Sequence, residues 1–373
     1  MGFYDSLGIA KRINAAAYYT ALGGSIMSPE VIAAMNDASK SFISMHELQL
    51  KAGQKIAKLT KNEGAFITTG AAAAIVLSIL AFRTKGDINE IQRIIDGKGG
   101  PSEIIVQTGH RIPYDPAIRL AGSTIVTVGN AVQTFEYELE SAINANTTAI
   151  FFVAGAHLAT PTLSLETVVK IARKYKVPVV VDAAAQLPPL SNFWHFTKDC
   201  GADLVIFSGG KTLQGPQSTG LILGKSVWIE AIRANGSPFQ RLARAFKVGK
   251  EEIAGITTAV ERYITRDHVA EFKSWERVID AWVAGLATIS GVRVLREELN
   301  EAGQPIPRVA IHFPRDIALD VIATLQKLDP IVEVVHDFRS TIWLSADGLQ
   351  KGEDVIVLEQ IRKALAKHGF KSL

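Results

Sequence analysis

Residues 204–216 read LVIFSGGKTLQGP, an apolar run that ends in a glycine-rich turn with a single lysine, Lys211. A second apolar run, VPVVVD at residues 177–182, ends on Asp182. Unbroken apolar runs of this kind are typical of strands that are buried on both faces of a parallel sheet. The two runs therefore predict two buried strands, each with a charged residue at its carboxyl end.

The neighbouring sequence repeats this alternation of strands and helices. Predicted strands lie at residues 102–107, 124–128, 148–153 and 219–224, and predicted helices at 28–39, 47–60, 114–121 and 165–175. Such spacing indicates an α/β fold with a mostly parallel sheet that is covered on both faces. Ligands of these sheets bind beyond the carboxyl ends of the strands. Thr69, Gly70, His110, Asp182 and Lys211 all come at such ends.

Past about Ser226 the pattern changes. A long helical region runs from Trp228 to about Ile289, with a break near residues 235–238, and short strands and a last helix follow it. This predicts a smaller C-terminal α/β domain. We expect an N-terminal segment near the active site at residues 1–40, a large domain at 41–235, and a linker helix with the small domain at 236–373.

Composition limits the classes of protein. The chain is 47% hydrophobic, and 40 Lys and Arg against 37 Asp and Glu give a net charge of +3 with no long basic run. That balance does not predict a nucleic-acid or membrane partner. The first residues lack a signal-peptide pattern, and the apolar run from Ala71 to Phe82 is too short to span a bilayer, so we expect a cytoplasmic protein.

The chain has one cysteine, Cys200, which excludes an intrachain disulfide and any metal site built from several cysteines. We predict no metal site. The simple interpretation of Cys200 is a buried small apolar residue.

Lys211 and Asp182 together match the needs of a pyridoxal 5′-phosphate enzyme. A lysine in apolar surroundings has a lowered pKa, and its free amine attacks the cofactor aldehyde to form a Schiff base. An aspartate keeps the pyridine nitrogen protonated, so that the ring can accept electrons. The nucleotide-binding loop is the competing interpretation of Gly210–Thr212, but Val205 stands where that motif requires glycine.

Other candidates complete the predicted site. Thr69, Gly70 and Ala71 open a helix whose amides and dipole suit a phosphate, and Ser208 is a further phosphate ligand. His110 is a candidate to stack on the cofactor, with an ordinary loop histidine as the alternative. Four residues are candidates for binding a substrate anion, although a surface role fits them too: Arg339, Arg111, Arg12 and Tyr18.

These residues resemble fold type I pyridoxal phosphate enzymes of the aspartate aminotransferase superfamily, and more narrowly the branch of bacterial selenocysteine synthase and D-glucosaminate-6-phosphate ammonia-lyase. The resemblance spans most of the chain. Its carriers are INAA at residues 13–16, LGGS at 22–25, MHELQ at 45–49, TGAAA at 69–73, GHRIPYD at 109–115, VDAA at 181–184, SGGK at 208–211 and GPQSTG at 215–220.

The resemblance implies that Lys211 is the Schiff-base lysine, that Asp182 is the partner of the pyridine nitrogen, and that Gly70, Ala71 and Ser208 bind the phosphate. It also implies a homodimer or higher homo-oligomer with active sites at subunit interfaces. Two departures bear on the substrate. Residues 17–19 are Ala-Tyr-Tyr where the ammonia-lyases have glycine and threonine, and Gly210 stands where the selenium transferases have aspartate.

The activity that follows is α,β-elimination on a small amino acid, phosphorylated or sugar-derived, with Lys211 as the base that takes the α-proton. Three alternatives stay open. A racemase or epimerase shares the proton abstraction and would use His110 or Tyr18 on the opposite face. A seryl-tRNA selenium transferase-like enzyme is disfavoured by the lack of a basic patch and of an N-terminal extension that could grip tRNA. A cofactor-binding protein without turnover would show no α-proton exchange.

Overall fold

The computed structural model describes residues 2–371, so Met1, Ser372 and Leu373, which end the predicted terminal segments, lie outside the described residues. The chain folds into two compact units. The large unit comprises Gly24–Arg266 and Ala302–Gln304, and the small unit comprises residues 2–23, 267–301 and 305–371. No helix within residues 2–371 is both long enough and apolar enough to cross a membrane.

The strands, in chain order, are β1 Arg12–Asn14, β2 Gly64–Thr68, β3 Glu103–Gln107, β4 Thr124–Val128, β5 Thr147–Val153, β6 Val179–Asp182, β7 Leu204–Ser208, β8 Gly220–Gly224, β9 Arg293–Glu297, β10 Arg308–His312, β11 Ile331–Glu333, β12 Val335–His336 and β13 Thr341–Ser345.

The helices, in chain order, are α1 Phe3–Ser6, α2 Pro29–Ala38, α3 Met45–Leu59, α4 Ala71–Thr84, α5 Ile88–Ile95, α6 Asp115–Leu120, α7 Glu136–Ala142, α8 Leu165–Lys174, α9 Asn192–Trp194, α10 Ser226–Asn235, α11 Lys250–Thr265, α12 His268–Ala287, α13 Ala318–Leu325 and α14 Glu353–Lys367. A π-helical turn at His195–Asp199 continues α9.

The large unit is built on a seven-stranded sheet in the order β2-β8-β7-β6-β5-β3-β4. β8 runs antiparallel to both of its neighbours, and the other pairs are parallel. Successive residues of a strand pack into different hydrophobic clusters: Val180 belongs to one cluster and Val181 to another. Both faces are therefore buried, which confirms the predicted mostly parallel, doubly covered sheet and explains why its strands lack polar alternation.

Helix sequences follow from the same burial. α4 has eleven buried residues out of fourteen and is apolar on every side, as expected for a helix enclosed by the sheet and its neighbours. α8 buries only one face, and the Ser164 side chain caps it by accepting a hydrogen bond from the Thr167 amide.

The small unit has a four-stranded antiparallel sheet in the order β12-β13-β10-β9, and a separate parallel pair of β1 and β11. Trp282 of α12 is buried in its core and donates its indole N–H to the Asp354 carbonyl oxygen at 2.9 Å. The predicted smaller α/β domain is confirmed. β1 was not predicted as a strand. It pairs with β11, which lies more than three hundred residues later in the chain.

The region after Ser226 differs from its prediction in detail. It forms three helices, α10, α11 and α12, instead of one long region with a single break. The second break falls at residues 266–267, where the Asp267 side chain accepts a hydrogen bond from the Ala270 amide at 2.9 Å and begins α12. An aspartate in this position ends one helical pattern and starts the next.

Candidate active site

Asp182 and the loop of Lys211 lie at the same edge of the large sheet. Asp182 is the last residue of β6, where it is the register partner of Val153 in β5 and of Ile206 in β7. β7 ends at Ser208, three residues before Lys211. Since the carboxyl ends of parallel strands meet at one edge, the sheet carries both charged residues to one place, as the sequence predicts.

Asp182 is 7% exposed, and its Oδ1 accepts a hydrogen bond from the Ala184 amide at 3.0 Å. Burial raises the pKa of the Asp182 carboxyl, while the Ala184 N–H and the positive charge of Lys211 act in the opposite direction. The protein thus holds a carboxyl in low-dielectric surroundings with few compensating donors. Such a group gains most from a cation placed against it.

The Lys211 loop is fixed by backbone hydrogen bonds on both sides. The Gln214 amide donates to the Lys211 carbonyl oxygen at 2.8 Å, and the Gly209 amide donates to the Thr219 carbonyl oxygen at 2.8 Å. Lys211 itself is partly buried. The loop therefore presents the lysine from a closed turn and not from a mobile surface segment.

The start of α4 forms a cradle for an anion. Gly70 precedes the helix with φ of +92° and, as a glycine, has no side chain that could cap the first turn. The first amides of a helix have no carbonyl partner four residues earlier, so those of Ala71 and its successors are available to a ligand, and the helix dipole favours negative charge.

Close packing keeps this cradle against the Lys211 loop. Thr68, Gly220 and Ser208 are register partners across β2, β8 and β7. A Cβ atom on Gly220 would lie 2.5 Å from the carbonyl carbon of Gly70, so only glycine fits there. Ser208 and the Gly70 turn are thus brought to one end of three adjacent strands. A buried carboxyl at Asp182 that would be stabilised by a cation, an amine at Lys211 and the first amides of α4 together fit pyridoxal phosphate.

His110 lies deeper than an ordinary loop histidine. It is 1% exposed, its Nδ1 accepts a hydrogen bond from the Val153 amide at 3.4 Å, and its ring meets the Phe152 ring edge-on at 4.4 Å. Burial lowers the pKa of His110 to about 4, so the ring is neutral at physiological pH. Val153 is also the register partner of Asp182, which places His110 at the same sheet edge. Its stacking role stays a prediction.

The Arg111 guanidinium already has two side-chain partners. Its Nε atom lies 2.5 Å from Asp115 Oδ2, and its Nη1 donates to Thr127 Oγ1 at 2.8 Å. A substrate anion would have to share this guanidinium with Asp115.

Arg12, Tyr18 and Arg339 belong to the small unit. Arg12 pairs with Glu333 and also donates to Gln326, and the Tyr18 hydroxyl donates to the Asp347 carbonyl oxygen. The Arg339 side chain is exposed, and its amide donates to Asp337 Oδ1 at 2.8 Å. Their roles in substrate binding stay predictions.

Ser25 is a candidate that the sequence prediction missed. Its amide donates to the Gly210 carbonyl oxygen at 2.9 Å, directly beside Lys211. Its Oγ atom is buried and has no hydrogen-bond partner among residues 2–371, so it is free to bind a ligand group. The LGGS motif at residues 22–25 was the available signal, but it marked only the resemblance and no role.

The family model for L-seryl-tRNA selenium transferase matches residues 13–279. Among curated proteins, the chain is 34% identical over 313 residues to D-glucosaminate-6-phosphate ammonia lyase of Salmonella typhimurium, covering 83% of this chain and 81% of that protein. It is 36% identical over 377 residues to 5′-C-glycyluridine monooxygenase-decarboxylase of a Streptomyces species, covering 99% of this chain and 90% of that protein.

L-seryl-tRNA(Sec) selenium transferase of Clostridium botulinum is 27% identical over 285 residues, which cover 70% of this chain and 58% of that protein. Among solved structures, a D-glucosaminate-6-phosphate ammonia-lyase is 30% identical with a TM-score of 0.82 and covers 99% of both chains. Serine palmitoyltransferase of Sphingomonas wittichii is 14% identical with a TM-score of 0.64, covering 96% of this chain and 88% of that one, and shows the shared fold alone.

Proposed function

The chain belongs to the L-seryl-tRNA selenium transferase family, and we propose that it catalyses an ammonia-lyase reaction, an α,β-elimination on a small amino acid. The protein is a fold type I pyridoxal-phosphate-dependent enzyme. The observation that carries the proposal is the meeting of Asp182 and the Lys211 loop at one sheet edge in a relative of an ammonia lyase.

Pyridoxal phosphate, when bound, supplies an electron sink for negative charge at the substrate α-carbon. In the proposed reaction Lys211 Nζ takes the α-proton, since its loop directs it to the same edge as Asp182. The Asp182 carboxylate would hold a proton on the pyridine nitrogen. The first turn of α4 and Ser208 would bind the phosphate and so fix the orientation of the ring. A β-substituent then leaves, and hydrolysis yields a keto acid and ammonia.

The ammonia lyase relative supports a substrate that is sugar-derived and phosphorylated. D-glucosaminate 6-phosphate is therefore the first compound to assay, followed by amino acids that carry a β-hydroxyl group. We expect equal amounts of ammonia and keto acid. Recovery of the epimerised amino acid without ammonia would instead support the racemase alternative.

Lys211→Ala tests the role of the lysine. We expect turnover to fall by at least about 10²-fold, the lower end of what a general base contributes. The visible absorption band that a lysine-bound cofactor would give, and that borohydride would remove, should also be lost. Lys225→Ala is the matched control, because Lys225 also follows a strand and a glycine but pairs with Asp203 at 2.6 Å. Full activity of Lys211→Ala would refute the mechanism.

A second candidate function rests on the match to the monooxygenase-decarboxylase, which has the higher identity and spans nearly the whole chain. A monooxygenase-decarboxylase consumes oxygen and releases carbon dioxide, and an ammonia lyase does neither. Measurement of oxygen uptake and carbon dioxide beside ammonia separates the two functions. Oxygen uptake that scales with decarboxylation, without ammonia, would favour this candidate.

We also propose a cytoplasmic homodimer or larger homo-oligomer with active sites at subunit interfaces. The support is the resemblance to fold type I enzymes. Light scattering on the eluting protein measures the assembly, and a monomer with full activity would contradict it.

A further inference from the structure

A second cluster of reactive side chains lies in the large unit, and it shares no residue with the proposed active site. Cys200 Sγ lies 3.4 Å from Glu166 Oε1 and 3.4 Å from His195 Nε2. The three potential ligand atoms all lie within 4.8 Å of one another. Within residues 2–371, no other group of three or more His, Cys, Asp or Glu side chains has its potential ligand atoms this close together.

Local backbone structure brings these side chains together. The Cys200 amide donates to the His195 carbonyl oxygen at 3.0 Å, which closes a π-helical turn and puts the two residues on one side of it. π-helical turns are rare and occur frequently at functional sites. Glu166 stands in the first turn of α8, which Ser164 caps. Two separate elements thus present a thiol, an imidazole and a carboxylate to a common point.

Asp199 orients the histidine of this cluster. His195 Nδ1 lies 3.1 Å from Asp199 Oδ2, so the Nδ1–H donates to the carboxylate and the lone pair of Nε2 faces Cys200. A carboxylate on the far nitrogen is the usual partner of a metal-binding histidine, where it fixes the tautomer and the ring orientation. This pairing is a second observation that points to a ligand at Nε2.

Two of the three distances between the ligand atoms suit a tetrahedral metal ion. Zinc binds cysteine sulfur at about 2.3 Å and histidine nitrogen or carboxylate oxygen at about 2.0 Å, which makes the edge between sulfur and either atom about 3.5 Å. The two measured edges are both 3.4 Å. The triad Cys200–His195–Asp199 also resembles a nucleophile with its base, but the Glu166 carboxylate lies 3.4 Å from the Cys200 sulfur. A carboxylate against the sulfur opposes a nucleophilic thiolate and suits a shared cation.

We propose that Glu166, His195 and Cys200 bind one Zn²⁺ ion, with Asp199 as the positioning residue of His195. The set of one sulfur, one nitrogen and one oxygen ligand matches a borderline-soft divalent ion, not Mg²⁺ or Ca²⁺. The His195 side chain is 42% exposed, which gives the ion a path from solvent and leaves the fourth position to water. The ion links the start of α8 to the segment that leads into β7. The sequence predicted no metal, because its single cysteine shows none of the paired-cysteine spacings.

Cobalt substitution tests the site. The holoenzyme is dialysed against a chelator and titrated with Co²⁺, whose visible d–d bands and thiolate-to-cobalt charge transfer report a tetrahedral site with a sulfur ligand. We expect one Co²⁺ per chain, displaced by one equivalent of Zn²⁺. Cys200→Ser, His195→Gln and Glu166→Gln should each weaken Co²⁺ binding at least tenfold, and Asp199→Asn by about 10–100-fold.

His268→Gln is the matched control, because His268 Nδ1 lies 3.7 Å from Glu271 Oε2 in a histidine–carboxylate pair without cysteine. It should bind Co²⁺ as the unmodified protein does. Melting temperatures identify any variant that fails to fold, and the remaining variants then decide the question. The proposal would be overturned if the charge-transfer band were absent, or if the Cys200, His195 and Glu166 variants bound Co²⁺ as tightly as the unmodified protein does. The cluster would then be a thiol hydrogen-bonded to its two neighbours and not a metal site.

Discussion

At the scale of single residues, Asp182 lowers the stability of the cofactor-free protein but serves the proposed function. Its carboxyl is buried with one backbone donor, and its raised pKa reflects the cost of holding charge there. A cation against this group would offset that cost. The residue is therefore placed for a ligand, and the protein without its cofactor should be less stable for having it.

Asp182→Asn separates the two effects. The amide oxygen still accepts from the Ala184 amide, so we expect the cofactor-free protein to melt at the same temperature or higher. Turnover should fall by about 100-fold or more, which corresponds to about 3 kcal/mol. Asp203→Asn is the control, because Asp203 pairs with Lys225 at 2.6 Å and accepts from the Val179 amide at 2.8 Å. It should lose stability and keep its activity. Undiminished turnover in Asp182→Asn would remove the residue from the site.

At the scale of elements, the phosphate cradle depends on the contact of β8 with the turn before α4. Gly220→Ala places a methyl group 2.5 Å from the Gly70 carbonyl carbon, so the turn must shift. We expect cofactor affinity to fall at least tenfold and stability to fall by about 1–3 kcal/mol. Gly100→Ala is the control, because a Cβ there meets nothing within 4 Å. Cofactor titration and thermal melts measure both effects, and unchanged affinity in Gly220→Ala would contradict the assigned cradle.

Elements with strong local signals could be predicted from sequence, and those set by distant partners could not. β6 and β7 are unbroken apolar runs, so their burial and the positions of Asp182 and Lys211 followed directly. The pairing of β1 with β11 and the contact of Ser25 with Gly210 join segments far apart in the chain, and no local pattern encodes them. The cluster of Glu166, His195 and Cys200 was not predicted for the same reason, since Glu166 lies on a separate helix.

At the scale of the whole molecule, the net charge bears on whether the protein could act on seryl-tRNA, as the selenium transferases of its family do. A protein that grips tRNA neutralises several phosphates with Lys and Arg, which makes binding strong at low salt and weak at high salt. This chain carries 40 Lys and Arg against 37 Asp and Glu, without a long basic run. This charge balance favours the small-molecule lyase over an enzyme that acts on seryl-tRNA.

We therefore expect no stable complex with seryl-tRNA at physiological salt. A gel-shift titration should show only weak retention that disappears between about 50 and 200 mM salt, because contacts of a few phosphates lose affinity steeply over that range. An unrelated aminoacyl-tRNA is the control and should bind equally. Salt-resistant binding that prefers seryl-tRNA would reverse the assignment, since it requires a surface that reads the nucleic acid and not merely its charge. The elimination activity would then have to be tested on the tRNA-bound serine.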